Sequence, residues 1–406
     1  MNILFLSDNF PPEVNAPATR TYEHCREWVR MGVQVTVVTC APNYPAGKVF
    51  PGYRNRLRAV ETVDGIRVVR LWSYITANEG ILKRTLDYLS FAGTSLLGSL
   101  LEEADVIVAT SPQFFTALSG FGLSLFKRKP WIFELRDLWP ESIKTVGAMR
   151  DGSALHLLKR LDFFLYRRAS RIVVVTQGIK NNLTERGIDQ AKIHVVTNGA
   201  NLDLFHPVSR DKELLAKLGL EGKTVLGYIG THGMAQGLDF ILDCAARISD
   251  ERIHFMFAGD GAEKKNLLTK AGEMSLKNVT FLDQIAKQDI PRYISLTDAC
   301  LVPLKKRDTF KGAIPSKIFE AAAMAKPILL GIQGEARNII HKYGAGICFE
   351  PENQKSFLEA VNLLRQDEQA YRNMQKGCLA LARDYDRKKL ALSMLDIIRQ
   401  TSVRKD

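Results

Sequence analysis

The sequence Gly312-Ala-Ile-Pro-Ser-Lys-Ile-Phe-Glu-Ala-Ala-Ala-Met-Ala-Lys-Pro-Ile-Leu-Leu-Gly331 predicts a loop, a helix and a buried strand in close succession. Pro315 and Ser316 are typical of a helix N-terminus, because serine can cap free backbone N–H groups and proline suits the helix entrance. Lys326-Pro327 ends the helix. The apolar residues that follow then predict a strand buried in a sheet.

The first turn of this helix places Ser316, Lys317 and Glu320 on one face, since positions three and four apart are neighbours on a helix. Free N–H groups and the positive end of the helix dipole suit a phosphate group. Lys317 adds a positive charge where the dipole favours an anion, which makes sense beside an anionic ligand. These residues fit a diphosphate, with Glu320 available to sugar or ribose hydroxyls. An ordinary amphipathic helix with a Lys–Glu surface pair remains an equal alternative.

Composition indicates a globular protein of two domains that is attracted to anions. The chain has 406 residues, 46% of them apolar and 25% charged, and a formal net charge of +12. Its six cysteines are scattered without a Cys-x-x-Cys pair, which is typical of reduced thiols in a cytoplasmic protein and disfavours a zinc site. The acidic residue at position 8 disfavours a signal peptide, and the longest apolar run, Leu89–Leu101, is too short to span a bilayer.

Strand and helix patterns alternate along the first half of the chain and restart at Val225. They predict two parallel α/β domains, residues 1–200 and 201–385, which face each other across a ligand-binding cleft. The turn-rich Asn198–Pro207 segment is the predicted connection, and residues 386–406 form a last helix that returns to the first domain. Neither half has Gly-x-Gly-x-x-Gly after a strand or a Gly-x-x-x-x-Gly-Lys-Ser/Thr loop, which disfavours dehydrogenases and P-loop NTPases.

Polar residues follow two predicted strands of the first domain. Glu13 and Asn15 lie in the loop after the first strand, and Arg136 and Asp137 directly follow a later one. Doubly wound sheets bind ligands at the carboxyl ends of their strands, so Glu13, Asn15 and Arg136 are candidate substrate-binding residues. Asp137 is a candidate catalytic residue, because a carboxylate there could act as a general base or bind acceptor hydroxyls. The alternatives are a solvated loop and a structural Arg–Asp pair.

The segment Lys48–Arg84 contains eight basic and three acidic residues and leads into the apolar stretch Ile81–Leu101. This arrangement fits docking on an anionic membrane surface, although a helix packed in the core explains the apolar stretch equally well. Basic residues are spread over both halves without a recognition helix or an aromatic-plus-basic repeat, which disfavours nucleic acid as a partner.

Several short motifs, taken in order, resemble the family 4 retaining glycosyltransferases of the GT-B fold. The resemblance is strongest to bacterial members that build O-antigen, capsule and colanic acid, such as the WbuB-like N-acetyl-L-fucosamine transferases. It covers nearly the whole chain and rests on these segments: Ser7–Glu13, Pro42–Gly47, Asp137–Pro140, Asn198–Pro207, Gly230–Gly237, Ala258–Gly261, Asn278–Leu282 and Pro315–Glu320.

The resemblance implies roles for particular residues. Glu320 matches the second glutamate of the family's Glu-x7-Glu motif and would hold the nucleotide ribose. Ser316 and Lys317 would bind the donor diphosphate. The segment Asp283–Ile285 would read the nucleobase through its main chain, and the loop Gly230–Gly237, with Thr231 and His232, would close on the phosphates.

Two features depart from the family pattern. Gly312 stands where the motif has its first glutamate, and the usual Arg/Lys pair that clamps the diphosphate is replaced by Thr231/His232 and Gln236. We expect Lys317, Arg307 or Lys311 to supply the missing positive charge.

The implied reaction is metal-independent and needs no cofactor. It moves a sugar, N-acetyl-L-fucosamine or a related 6-deoxy or N-acetylated sugar, from a UDP-sugar to a polyprenyl-diphosphate-linked acceptor at the inner face of the bacterial membrane, with Asp137 on the acceptor side. Asp384-Tyr-Asp386 resembles a metal-binding Asp-x-Asp, but it lies at the head of a predicted helix, where Asp386 fits an N-cap. Two alternatives remain: a UDP-sugar 2-epimerase, and a non-catalytic membrane scaffold that binds a nucleotide-sugar.

Overall fold

A computed structural model describes residues 1–44, 46–76, 81–111, 113–138 and 152–403. The chain forms two compact units. Unit 1 contains Met1–Thr197 together with the C-terminal segment from Arg387, and unit 2 contains Asn198–Asp386. Pro45 of the Pro42–Gly47 motif and the Trp139-Pro140 half of the Asp137–Pro140 motif lie outside the described residues.

Unit 1 is built on a mainly parallel sheet. Its strands are β1 (Asn2–Leu6), β2 (Gln34–Cys40), β3 (Arg58–Val63), β4 (Ile66–Leu71), β5 (Val106–Thr110), β6 (Trp131–Leu135), β7 (Arg171–Val174) and β8 (Ile193–Val195). They lie in the order β3-β4-β2-β1-β5-β6-β7-β8, and β3 alone among these eight is antiparallel to its neighbour. The central strands are buried along their whole length, which explains their continuous apolar sequences.

The β3–β4 hairpin was not anticipated from the sequence. Alternating exposed and half-buried residues along β3 are typical of an edge strand with one wet face. Arg58, Arg67 and Arg70 of the basic segment therefore belong to a regular sheet edge, whereas Arg54 and Arg56 lie in the loop before it. Arg58 and Arg67 both pair with Glu102, at 2.6 and 3.1 Å.

Helices cover both faces of this sheet. In the described part of the chain before residue 198 they are α1 (Ala16–Arg30), α2 (Ile81–Gly98), α3 (Phe114–Lys127), α4 (Ser153–Arg168) and α5 (Gln177–Glu185). Helix α2 is partly buried: Phe91 is fully buried, whereas Leu86, Leu89 and Leu97 are exposed. The core interpretation therefore holds for one face, and membrane docking stays a prediction. In the described ranges, no helix is both long enough and apolar enough to cross a bilayer.

Unit 2 has an entirely parallel sheet in the order β11-β10-β9-β12-β13-β14. Its strands are β9 (Thr224–Ile229), β10 (Ile253–Ala258), β11 (Val279–Leu282), β12 (Ala299–Pro303), β13 (Ile328–Gly331) and β14 (Gly346–Cys348). Its helices are α6 (Lys212–Lys217), α7 (Leu238–Ala245), α8 (Lys264–Glu273), α9 (Ile290–Ser295), α10 (Lys317–Ala323), α11 (Glu335–Tyr343), α12 (Gln354–Gln366) and α13 (Glu368–Asp384).

The last helix, α14 (Arg387–Val403), packs on α1 in unit 1. The Trp28 indole N–H donates to the Ala391 carbonyl at 2.8 Å, and Arg387 pairs with Glu23 at 3.1 Å between two nearly buried side chains. The apolar residues Ala391, Met394, Leu395 and Ile398 of α14 are fully buried in the same core as Trp28. Burial of this face holds the end of the chain to unit 1.

Candidate functional site

Two loops with glycine meet at the carboxyl edge of the unit 2 sheet, after β9 and β10. Gly259 and Gly261 have φ values of 139° and 155°, which favour glycine. A side chain on Gly259 would overlap the Gly230 carbonyl, and a Cβ on Gly261 would lie 2.5 Å from the His232 carbonyl oxygen. The backbones therefore approach as closely as glycine allows, at the edge where parallel sheets bind ligands.

Lys317 extends from the start of α10 towards these loops. Its amine lies 3.6 Å from the centre of the Tyr228 ring, and it occupies the space that a Cβ on Gly230 would need. Among the described residues, the amine has neither a carboxylate within ion-pair distance nor a hydrogen-bond acceptor. Burial lowers the pKa of Lys317 to about 7, although the nearby Glu320 opposes the shift.

A buried amine that has no acceptor in the described part of the chain favours the binding of an anion. The cation–π contact with the Tyr228 ring compensates only in part for the water that the buried amine has lost. A phosphate beside Lys317 would favour the charged form and raise its pKa again. Helix α10 has seven residues, and the Ser316 side chain makes no capping hydrogen bond. The sequence-based expectation that Ser316 caps the helix through its hydroxyl is therefore wrong, and Lys317 is the stronger anion-binding group.

Glu320 has a partner that the sequence did not reveal. Its Oε1 accepts a hydrogen bond from the Lys287 amine, and both side chains are about four-fifths buried. Lys287 also lies 4.8 Å from the centre of the Phe205 ring. The predicted alternative of a Lys317–Glu320 surface pair is not formed. Glu320 instead presents a carboxylate already held in position, with its other oxygen left to accept further hydrogen bonds.

His232 is completely buried under the loop that follows β9. Its ring lies 5.8 Å from the Tyr228 ring and 6.3 Å from the Phe281 ring, centre to centre. Burial, together with the positive charges of Lys264 and Lys317, lowers its pKa to about 4, so the ring is neutral. The ring packs against these aromatic side chains and is not exposed. The substrate contact predicted for His232 stays a prediction.

The remaining predicted residues of unit 2 are placed as follows. Gly230 and Thr231 lie in the glycine loops, where the Thr231 carbonyl accepts a hydrogen bond from the Tyr228 hydroxyl at 2.6 Å. Asp283 and Arg307 are exposed, and Ile285 is half-buried.

Lys317, Arg307 and Lys311, which are expected to supply the missing positive charge, differ in their surroundings. Lys311 pairs with Asp308 at 2.7 Å on the surface, so its charge is partly neutralised. At Gly312 a Cβ would meet nothing within 4 Å, so steric crowding does not explain the absent glutamate. Lys317 is the replacement that the structure favours.

Of the residues predicted for the first loop of unit 1, Glu13 is buried and Asn15 caps a helix. Glu13 is 3% exposed, and its Oε1 accepts hydrogen bonds from the Asn43 and Tyr44 backbone N–H groups at 2.8 Å each. Asn15 is the N-cap of α1 and accepts from the Ala18 N–H at 2.9 Å. The sequence pattern predicts a helix start near Ala18, two residues later than observed, and therefore does not indicate a capping role for Asn15.

Arg136 and Asp137 do not form the ion pair that the sequence suggested as an alternative. Arg136 is 8% exposed, and burial lowers the pKa of its guanidinium to about 10, whereas the Asp137 side chain is accessible to solvent. The ion pair buried at this edge is Arg20–Glu134, at 2.9 Å with both side chains 1% exposed. Arg20 also donates to the Val196 carbonyl at 2.8 Å, which ties α1 to the end of the domain.

Asp384 accepts a hydrogen bond from the Tyr343 hydroxyl at 2.5 Å, consistent with a structural role. Across the described ranges, no group of three or more His, Cys, Asp or Glu side chains is arranged to hold a metal ion.

The two halves of the chain match two family models. Residues 15–199 match the glycosyl transferase 4-like domain, and residues 210–378 match glycosyl transferases group 1. Together the matches span most of the chain. The chain belongs to the GT-B glycosyltransferases, and the predicted fold and enzyme class are confirmed.

Individual proteins agree with this assignment. The chain is 23% identical to the putative colanic acid biosynthesis glycosyl transferase WcaI of Escherichia coli, covering 89% of this chain and 91% of the relative. It is 24% identical to the N,N'-diacetylbacillosaminyl-diphospho-undecaprenol alpha-1,3-N-acetylgalactosaminyltransferase of Campylobacter jejuni, covering 57% and 61%. Among solved structures, HepE of Anabaena in complex with UDP superposes with a TM-score of 0.74 at 18% identity, over 98% of this chain and 100% of that one.

Proposed function

We propose that this protein transfers a sugar from a UDP-sugar to a lipid-linked acceptor in the assembly of a bacterial surface polysaccharide. The observation that carries the proposal is the buried Lys317 amine without an anionic partner, beside two glycine loops at the carboxyl edge of a parallel sheet. This combination fits a diphosphate. The relatives support the pathway, since one is named for colanic acid biosynthesis.

The donor would lie along the unit 2 edge. Lys317 would hold the diphosphate, and the carboxylate of Glu320, positioned by Lys287, would accept hydrogen bonds from the ribose. The main chain at Asp283–Ile285 would read the nucleobase. The related structure of HepE with UDP supports a uridine nucleotide as the donor carrier.

Catalysis would depend on charge stabilisation. The bond from the sugar to the diphosphate breaks as negative charge develops on the leaving phosphate, and a positive group fixed beside that phosphate stabilises the transition state. Lys317 is buried, so its charge acts in a medium of low polarity, where it is stronger than in water.

The acceptor would be a sugar carried on a polyprenyl diphosphate and bound by unit 1, with Asp137 and Arg136 at the carboxyl end of β6 among its contacts. The relative from Campylobacter jejuni is named for an acceptor of that kind. Exposed leucines of α2 support peripheral binding to the inner face of the membrane.

The first experiment is an assay of the purified protein with UDP- and GDP-sugars, including UDP-N-acetyl-L-fucosamine. Each donor is tested with and without a polyprenyl-diphosphate-linked N-acetylhexosamine, and nucleotide release and glycolipid products are followed by mass spectrometry. We expect release of UDP only in the presence of acceptor, and its loss in Lys317→Met. Lys342→Ala, an exposed lysine on α11, is the control that retains activity.

Two outcomes would contradict transfer. Conversion of the donor sugar without acceptor would favour an epimerase. Binding of UDP without turnover of any donor would favour a non-catalytic scaffold.

A further inference from the structure

Three carboxyl groups near the carboxyl edge of the unit 1 sheet act on one another electrostatically. The Cys40 thiol at the end of β2 contacts Asp8, and the Ser73 hydroxyl beyond the end of β4 donates to Asp87 at 2.8 Å. Asp8 follows β1, Glu13 lies in the loop beyond it, and Asp87 lies on α2. The pKa of Asp8 is raised to about 8, first by burial and then by the negative charges of Asp87 and Glu13. Such a concentration of acid is unusual in a chain with a net charge of +12. We refer to Asp8, Glu13 and Asp87 as the acidic cluster.

Glu13 provides an independent sign that a ligand belongs here. One carboxylate oxygen, Oε1, accepts two backbone hydrogen bonds, whereas Oε2 is buried and has no hydrogen-bond partner among the described residues. A buried acceptor without a partner is costly, because it has lost water and gained nothing. Groups of this kind in native structures are commonly completed by a ligand or by water.

The side chains around the acidic cluster are those that bind carbohydrates. The Asn9 amide donates to Asp8 at 3.3 Å and accepts from the Asn15 amide at 2.7 Å, so the polar groups form a connected series. Tyr44 is 38% exposed and lies close enough to Glu13 for that charge to raise its pKa. Carboxylate and amide groups bind sugar hydroxyls, and an aromatic ring provides an apolar surface for the C–H groups of a sugar.

We propose that the acidic cluster binds the terminal sugar of the acceptor and selects a sugar without negative charge. This inference rests on the proposed transferase function and adds the class of acceptor to it. Hydroxyl or ammonium groups can donate to the free oxygen of Glu13 and to Asp8. A uronic acid or a phosphorylated sugar would place a further anion beside the cluster.

Arg70, the arginine that acts on the acidic cluster, already binds other groups of the protein. Arg70 acts on Glu13, but its guanidinium binds Glu61 at 2.6 Å, the Cys40 carbonyl at 3.0 Å and the Pro11 carbonyl at 2.5 Å. All three guanidinium nitrogens of Arg70 therefore have protein partners. Little capacity remains for a sugar carboxylate.

Selectivity should depend on pH, because Asp8 changes its charge near pH 8. The titratable groups that act on it are Asp87, Glu13 and Cys40. Burial raises the pKa of the Cys40 thiol well above its ordinary value, so the thiol stays neutral, and the pKa of Tyr44 is also raised. Between pH 6.5 and pH 9 Asp8 therefore loses its proton, because its pKa of about 8 lies in this range.

The test compares three acceptors with identical lipid diphosphates and different terminal sugars: an N-acetylhexosamine, a hexosamine and a hexuronic acid. We expect kcat/KM to be at least tenfold lower for the hexuronic acid at pH 6.5, and the gap to widen severalfold by pH 9. Asp8→Asn should remove the widening and leave the KM of the donor unchanged. Glu185→Gln, an exposed carboxylate of unit 1, should behave as the unaltered protein does.

Equal use of the hexuronic acid, or a selectivity ratio that is the same at both pH values, would overturn the proposal. So would an Asp8→Asn variant, shown by its melting temperature to be folded, that keeps the full pH dependence. Binding of the free acceptor sugars, measured by saturation-transfer NMR, separates this proposal from the proposed function. Binding of the neutral sugar without turnover would contradict the transferase and support the site, whereas transfer without preference would do the reverse.

Discussion

The carboxyl edges of the two parallel sheets differ in charge although the sheets share one architecture. In unit 2 the edge presents Lys317, whose amine pairs with no carboxylate in the described part of the chain, and this suits an anion. In unit 1 the edge presents Asp8, Glu13 and Asp87, which repel one. The comparison shows that the fold decides where ligands bind, and the loops after the strands decide which ligands.

The largest effect should come from removing the unit 2 charge. Lys317→Met should lower kcat/KM for the UDP-sugar by about 10²–10³-fold, comparable to the loss of one preorganised group that stabilises developing charge. Steady-state kinetics at saturating acceptor measure this change, and the acceptor KM should stay constant. A loss below threefold would mean that the anionic ligand does not depend on Lys317.

The same lysine should make donor binding depend on pH. Its pKa of about 7 in the free protein rises when a diphosphate binds, so binding above pH 7 requires uptake of a proton. The Kd of the UDP-sugar should be constant below pH 7 and weaken by up to about tenfold per pH unit above it, until the pKa of the complex is reached.

Calorimetry in two buffers with different ionisation enthalpies would report the proton uptake directly. Lys317→Arg, whose guanidinium stays charged, should bind without uptake of a proton. A pH-independent Kd in the unaltered protein would show that Lys317 remains charged without the donor.

A smaller effect is expected at the Lys287–Glu320 pair. Glu320→Gln should raise the donor KM about tenfold, because the neutral amide is a weaker partner for ribose hydroxyls, and an interaction with a charged group contributes about 1.5–3 kcal/mol. Competition binding of UDP against uracil locates the loss, since uracil lacks the ribose and the diphosphate. Equal losses for both ligands would contradict a ribose contact.

The smallest effect should come from Asn15, which is the N-cap of α1. Asn15→Ala should lower the free energy of unfolding of unit 1 by about 1 kcal/mol, through loss of its hydrogen bond to the Ala18 N–H. Denaturant unfolding measures this change, and the donor KM should be unaltered. A large change in kcat or KM with an unchanged free energy of unfolding would support the direct substrate contact predicted from the sequence.

Local sequence predicts most of the helices and strands and part of the candidate donor site. Continuous apolar runs, helix-stopping Lys326-Pro327 and the glycines after β9 and β10 act within a few residues of themselves, so their consequences can be read along the chain. Lys317 and Glu320 are predicted as ligand-binding residues for the same reason, because helical spacing places them on one face. The hairpin β3–β4 was missed because its edge strand lacks a buried apolar run.

Pairing and burial were decided by tertiary structure. Glu320 binds Lys287, 33 positions away, and not Lys317 one turn away. Arg20 binds Glu134, 114 positions away, and the ring of His232 turns into the core. The pKa of Asp8 is raised by burial and by the charge of Asp87, which lies on α2. The sequence by itself determined which chemical groups stand at the ends of the strands. Their charge states depend on desolvation and on distant neighbours, and only the folded chain brings those together.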